Sequence, residues 1–123
     1  SCTPLDSYKW KNRIVLMFGN NPELINHQIR TLEAYERGME ERHLILFNVS
    51  GIDIESPIVD QSLKPDGIKW LKEEYNSRNT SFLVILIGKD GGVKIKDTKP
   101  LSSDRLFALI DGMPMRQQEM KNN

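Results

Sequence analysis

The chain has almost no cysteine, and this scarcity excludes most thiol chemistry. A single cysteine, Cys2, forms no internal disulfide, no CxxC redox pair and no cysteine zinc site. Histidine is nearly as scarce, because only His27 and His43 occur and neither HxxxH nor HExxH spacing is present. Such a set suits metal binding poorly. We therefore predict two solvated surface histidines, no bound metal and no cofactor.

A charge excess of either sign is also missing. The 17 basic residues balance 17 acidic ones, so the formal net charge is zero. Nucleic-acid-binding domains usually carry an excess of basic residues, which this chain does not have, so no nucleic-acid partner is predicted. The longest apolar run, Phe82 to Gly88, falls well short of the ~20 residues of a membrane-spanning helix, so no transmembrane segment is predicted.

Cys2 bears on the cellular compartment, which the sequence leaves open together with the oligomeric state. A cysteine this close to the first residue is where an exported lipoprotein carries its lipid. One alternative is therefore export to the periplasm or the cell exterior. The signal sequence would then precede the residues shown.

Short apolar segments predict four strands. Three of them lack strict alternation, which is typical of strands buried on both faces, and they cover Arg13 to Phe18, His43 to Ser50 and Phe82 to Ile87. A tight turn at Lys89 to Gly92 then leads to Val93 to Lys96. Lysines alternate with apolar residues there, so one face of this last strand should be solvated.

The segments between and after these strands show the spacing of apolar residues that is typical of helices. Asn21 has the chemistry of a helix N-cap, and Pro22 suits the first helical position. One apolar stripe follows at helical spacing and predicts a helix that ends near Gly38; its members are Ile25, Ile29, Leu32 and Met39. Two more amphipathic segments, at 68–75 and 103–113, predict two further helices.

This order predicts an α/β, thioredoxin-like fold: a mixed four-stranded sheet with helices on both faces, arranged β-α-β-α-β-β-α. Helices that join parallel strands cross over right-handed, and the hairpin adds an antiparallel pair. A flavodoxin-like fold ranks second, since it needs more parallel strands. We place the domain at residues 13–114, after an N-terminal segment, 1–12, and before a polar tail, 115–123, that we expect to be partly mobile.

Three stretches carry a resemblance to a known family. They are LDSYKWKNRIVLMF, LVILIGKDGGVKIK and LFALIDGMPMRQQEM, of which the last is the most specific. Together they resemble the P-DUDES family of small bacterial proteins, whose domain recurs in extracellular animal proteins with sushi repeats. The resemblance implies a thioredoxin-like fold of peroxiredoxin character. It implies no settled activity, because the family is chiefly one of unknown function.

The redox position of such a fold holds amides in this chain. A thioredoxin CxPC motif would lie over residues 20–23, and a peroxidatic cysteine would lie at Asn21. The proline is present and the sulfur is not. An amide neither attacks a disulfide nor reduces a peroxide. Residues 79–81, Asn-Thr-Ser, also replace the cis-proline expected before the third strand, so thiol–disulfide exchange is disfavoured twice.

The same junction predicts a binding site, because a helix N-terminus offers free N–H groups to an anion or carbonyl oxygen. The candidate binding residues are Gly19, Asn20, Asn21, Pro22 and Glu23, with Arg116 from the terminal motif. Asn21 either contacts a ligand or only caps the helix, and we favour the cap. Arg116 either pairs with a carboxylate or is an unpaired tail residue, and we favour the unpaired state.

Two functions follow from these observations. The preferred one is a non-catalytic binding or regulatory module for an unknown peptide, protein or small anionic ligand. The alternative is an atypical peroxiredoxin-like oxidoreductase with Cys2 as its lone peroxidatic thiol. Cys2 lies far in sequence from the helix start that would lower a thiol pKa, which disfavours this alternative.

Overall fold

A four-stranded mixed sheet organises the chain in the computed structural model, which describes residues 2–122. Its strands are β1 (Arg13–Gly19), β2 (Leu44–Asn48), β3 (Phe82–Ile87) and β4 (Val93–Asp97). They lie in the order β2-β1-β3-β4. β1 pairs with β2 in parallel and with β3 antiparallel, and β3 pairs antiparallel with β4. The predicted mixed sheet is therefore confirmed.

Helices cover both faces of this sheet. They are α1 (Pro22–Glu33), α2 (Glu36–Glu41), α3 (Pro65–Tyr75), α4 (Ser103–Asp111) and α5 (Pro114–Lys121), and a short 3-10 helix spans Asp6–Tyr8. Residues from α1, α2 and α4 pack on one face, and α3 packs on the other. None of the helices in residues 2–122 is both long enough and apolar enough to cross a bilayer.

The central strand β1 shows why the sequence is apolar without alternation. Val15 and Met17 face the core beneath α1 and α4, and they are fully buried. Leu16 and Phe18 point to the opposite face, where they pack with Leu71 of α3. Because each face has its own hydrophobic core, successive residues of one strand must all be apolar.

The first predicted helix is broken, so that prediction was wrong beyond residue 33. Tyr35 leaves helical geometry (φ −127°, ψ 42°), and its N–H donates to the Leu32 carbonyl instead. Its ring packs edge-on against Phe107 of α4, with 6.4 Å between centroids. Gly38 lies against the Phe107 ring as well, since a Cβ at residue 38 would be 2.6 Å from that ring. Packing against α4 thus divides the stripe into α1 and α2.

The segment expected as a polar tail forms a helix. α4 ends at Asp111, two residues short of the predicted segment, and Pro114 is the first residue of α5. Within α5, Arg116 is buried at 6% exposure. The segment before β1 is packed as well, because Leu5 is buried with the α3 core. Asn123, the last residue of the expected tail, lies outside the described residues, and the domain bounds at 13 and 114 remain predictions.

Candidate functional site

A polar cleft of about 240 Å³ lies where β1 ends and α1 begins. We call it the apical cleft, and its lining residues are Phe18, Gly19, Asn20, Val49, Ser50, Lys72, Asn76, Asn79 and Thr80. β1 and β2 are parallel, so their carboxyl ends meet at this edge of the sheet. That edge is the usual place for ligands in open α/β sheets.

Gly19 allows β1 to close against the start of β3. Its φ is +125°, a backbone conformation that side chains disfavour, and a Cβ would stand 2.0 Å from the Ser81 carbonyl oxygen. The next residue, Asn20, donates its backbone N–H to that same oxygen at 3.0 Å. The backbone is thereby fixed on one side of the apical cleft, and Asn20 remains exposed there.

Asn76 organises the loop that leads into β3. Its side chain donates to the Thr80 carbonyl at 3.2 Å and accepts the Thr80 N–H at 2.9 Å. Its own carbonyl accepts the Asn79 N–H at 3.0 Å, with Asn79 in the left-handed region at φ +53°. A buried amide therefore holds Asn79 and Thr80 in place at the cleft.

The loop after β2 supplies a hydroxyl and lies next to an amine. The Asn48 side chain accepts from both the N–H and the hydroxyl of Ser50, at 3.1 and 2.5 Å. The Lys72 amine of α3 lies beside Gly51, where a Cβ would be 3.7 Å from its nitrogen. Ser50 and Lys72 thus come to one wall of the cleft from two separate elements.

The charge of the apical cleft is positive. Lys72 is the charged residue of the lining, which includes no aspartate or glutamate. None of the ion pairs formed among residues 2–122 involves Lys72. Amides and hydroxyls supply further hydrogen-bond donors around it. The arrangement suits a small anion or a carboxylate.

Only part of the predicted set of site residues lines this cleft. Gly19 and Asn20 do. Asn21 caps α1, because its side-chain oxygen accepts the Leu24 N–H at 3.1 Å, so the favoured capping interpretation is confirmed. Pro22 is the first residue of α1, and Glu23 is exposed in its first turn.

Arg116 lies at the opposite end of β1, roughly 20 Å away by strand rise. Our favoured interpretation of an unpaired tail residue was wrong. The Arg116 side chain contacts Asp111 at 3.2 Å and donates to the Glu41 carbonyl at 2.9 Å. It also lies 3.5 Å from Glu119, which links it to Arg13 at the start of β1. The fold therefore separates Arg116 from the apical cleft.

Around Glu119, charged side chains form a second group, which we call the basal cluster: Arg13, Arg42, Lys89, Asp111, Arg116 and Glu119. Both terminal guanidinium nitrogens of Arg13 donate to Glu119, at 2.9 and 3.1 Å, and the Lys89 amine lies 2.7 Å from it. Burial opposes ionisation of this carboxyl. The hydrogen bonds from Arg13 and Lys89 outweigh burial and lower the pKa of Glu119 to about 2.

His43 and Asp111 complete this end of the molecule. His43 Nδ1 lies 2.7 Å from the Lys89 amine, and both burial and the Lys89 charge lower the pKa of His43. Arg42 makes two hydrogen bonds to Asp111, at 3.0 and 2.8 Å, which hold the pKa of Asp111 below its usual range. His27 and His43 are both exposed, as predicted, and His43 also has Lys89 as a partner.

Cys2 does not line the apical cleft. It is exposed, and two residues later Pro4 packs against Gly67 in the first turn of α3. The cleft, by contrast, is lined by the last turn of α3. Within residues 2–122, no three side chains of histidine, cysteine, aspartate or glutamate are grouped so that they could hold a metal ion.

Several residues of these sites escaped the sequence analysis. Ser50 lies two residues after the end of β2, and the parallel pairing of β1 with β2 was a usable signal that it would lie near Asn20. Lys72 and Asn76 carried no comparable signal, because the docking of α3 brings them to the cleft. The ion pair of Arg13 with Glu119 joins residues 106 positions apart, and no local pattern marks it.

Comparison with known proteins identifies a matching family and a curated relative. A family model described as Domain of unknown function (DUF4174) matches residues 4–119. A curated relative, Coiled-coil domain-containing protein 80 from Danio rerio, is 22% identical over 133 aligned residues. The alignment covers 94% of this chain and 15% of that protein, so the chain spans only a small part of its relative's length.

Solved structures of similar shape come from redox families. The reduced 2-Cys peroxiredoxin of Plasmodium vivax superposes with a TM-score of 0.62 at 17% identity, covering 93% of this chain and 84% of that one. The exposed lipoprotein thioredoxin Etrx1 of Streptococcus pneumoniae gives 0.54 at 11% identity, covering 89% and 90%. At such identities the likeness shows the fold alone, which is thioredoxin-like.

Proposed function

The chain belongs to the family Domain of unknown function (DUF4174), and on that premise we propose that it is a non-catalytic binding module. Its ligand is a small anion or the terminal carboxylate of a peptide, held in the apical cleft. One observation carries this proposal: the cleft lining has the amine of Lys72 and no carboxylate to neutralise it.

The lining groups suit binding without turnover. Lys72 supplies a positive charge, and amide and hydroxyl groups such as those of Asn20 and Ser50 supply hydrogen bonds to an oxyanion. No cysteine lines the cleft. Amides and hydroxyls do not form the thiolate that reduces peroxides or disulfides. The chemistry available there is recognition of negative charge.

Chemical-shift mapping of the labelled protein tests this proposal. The probes are inorganic phosphate, acetate, and one tripeptide with either a free or an amidated C-terminus. We expect saturable shifts at residues 18–20, 49–51 and 76–80, with the free carboxylate binding more tightly than the amide. Failure of every probe to shift these residues would contradict the proposal.

A pair of lysine variants sharpens the test. Lys72→Gln removes the charge of the cleft, and we expect about tenfold weaker binding, equivalent to about 1.4 kcal/mol. Lys69→Gln is the matched control, because Lys69 is exposed on the same helix and does not line the cleft. Equal weakening by both variants would show that only general surface charge is involved.

Catalysis is tested separately on the same protein. We expect peroxide to oxidise Cys2 no faster than it oxidises free cysteine, and we expect no turnover with a dithiol. Cys2→Ser is the control for any residual reaction. Thiol-dependent peroxide consumption at an enzymatic rate, by either protein, would refute the non-catalytic role and favour the peroxiredoxin-like alternative.

Membership of the P-DUDES family is a further proposal. It is supported by the terminal motif at residues 106–120, and the matched domain of unknown function spans most of that stretch. Comparison of the P-DUDES and DUF4174 sequence profiles tests it, since a shared family must align this motif in both.

A further inference from the structure

The basal cluster holds more positive than negative charge. Its cations are Arg13, Arg42, Lys89 and Arg116, and its carboxylates are Glu119 and Asp111. An exposed carboxylate, Glu41, reaches Arg42 only at 4.0 Å. The four cations therefore exceed the carboxylates by one even when Glu41 is counted as the third carboxylate. Arg13 and Lys89, at 1% and 7% exposure, share Glu119 between them. Buried charges are ordinarily matched by counter-charges, and one positive charge of this cluster is not.

Arg13 has an unused hydrogen-bond donor. Its two terminal nitrogens donate to Glu119 and to the Arg42 carbonyl. Its Nε is a buried side-chain polar atom with no partner among residues 2–122. A buried donor without an acceptor is uncommon and destabilising. The excess positive charge of the basal cluster is thus accompanied by one buried donor that has no acceptor.

An apolar groove of about 420 Å³ opens beside these cations. We call it the basal groove; Arg13 and Lys89 line it together with Trp10, Met113, Pro114 and Met115. Trp10 is 61% exposed and Met115 is 39% exposed. Asp90 and Lys94, which also line it, pair with each other at 2.9 Å and leave no net charge. Apolar walls therefore adjoin two cations that share a carboxylate.

We propose that the basal groove binds an amphiphilic monoanion, in which one carboxylate is attached to an apolar chain or ring. The carboxylate faces Arg13 and Lys89, and the apolar body lies between Trp10 and Met115. The volume is that of a small-molecule site, and methionine side chains adapt to varied apolar shapes. This site is independent of the apical cleft, which lies at the other end of β1.

Octanoate is the probe for this proposal. Acetate, which has the carboxylate without the long chain, and octanol, which has the chain without the charge, are its controls. Trp70→Phe leaves Trp10 as the lone tryptophan, so fluorescence reports directly on the groove. We expect octanoate to bind saturably, and acetate and octanol to bind at least about tenfold more weakly. If octanol binds as well as octanoate, the site takes only apolar bodies and the proposal fails.

Two methionines on α5 provide a matched pair of variants in the same Trp70→Phe protein. Met115 and Met120 are equally exposed, at 39%, but only Met115 lines the groove. We expect Met115→Glu to weaken octanoate binding at least about tenfold and Met120→Glu to change it less than about twofold. Equal effects would overturn the proposal. A dimer that forms through Trp10 and Met115 and excludes octanoate would overturn it as well.

Discussion

Replacing Glu119 by glutamine removes the carboxylate that Arg13 and Lys89 share. The two cations are buried, and Glu119 Oε2 lies 2.9 Å from the nearer Arg13 nitrogen and 2.7 Å from the Lys89 amine. Glutamine has nearly the same shape but no charge. We therefore expect Glu119→Gln to lower the free energy of unfolding by leaving two buried cations without their partner.

The size and pH dependence of this loss follow from the pKa of Glu119. That pKa falls from 4.5 to about 2 on folding, and at 1.36 kcal/mol per pH unit the difference corresponds to about 3 kcal/mol. A carboxyl whose pKa is lowered by folding stabilises the protein fully above its unfolded pKa. The advantage of the wild-type protein should therefore be complete at pH 7 and disappear as the pH falls from 4.5 towards 2.

Urea unfolding measured across this pH range tests the reasoning. Glu73→Gln is the control, because Glu73 is exposed on α3 and takes part in no ion pair among residues 2–122. We expect the control to stay within about 0.5 kcal/mol of the wild type. A Glu119→Gln loss equally small at pH 7, or one that does not shrink on acidification, would refute the argument.

Two further predictions concern the junction of β1 and α1, and urea unfolding measures both. Asn21→Ala removes the cap of α1 and should cost about 1 kcal/mol, whereas Asn20→Ala should cost much less; equal losses would show that the cap has no energetic role. Gly19→Ala should cost roughly 3 kcal/mol or more, because the new Cβ meets the Ser81 carbonyl in a backbone conformation at φ +125°. Gly112→Ala is its control, with nothing nearer than 3.7 Å, and a similar loss there would refute the steric explanation.

Local sequence signals predicted the scaffold well. Buried strands such as β1 and β3 are recognisable because their residues are apolar on both faces. The cap at Asn21 was predictable because capping depends on a side chain and an N–H only three positions away. The break at Tyr35 was not, because α1 and α2 separate where Phe107 packs against them from another helix.

The residues of the two sites were only partly predictable from local sequence. Gly19 and Asn20 were identified because they follow a strand and precede a helix, and both line the apical cleft. Arg116 was grouped with them on the terminal motif alone, and the fold carries it to the far end of β1. No periodicity connects α5 to the start of β1, so no local sequence pattern predicts the contact between Glu119 and Arg13.

The amino-acid sequence alone determined which elements form and which chemistry is missing from the junction of β1 and α1. Both depend on residue identity and on contacts within a few positions. Tertiary structure decided which distant side chains share a site: Lys72 and Ser50 with Asn20 at one end, and Glu119 with Arg13 at the other. The physical reason is that helix docking fixes these neighbours, and docking depends on the packing of whole faces rather than on any local run of residues.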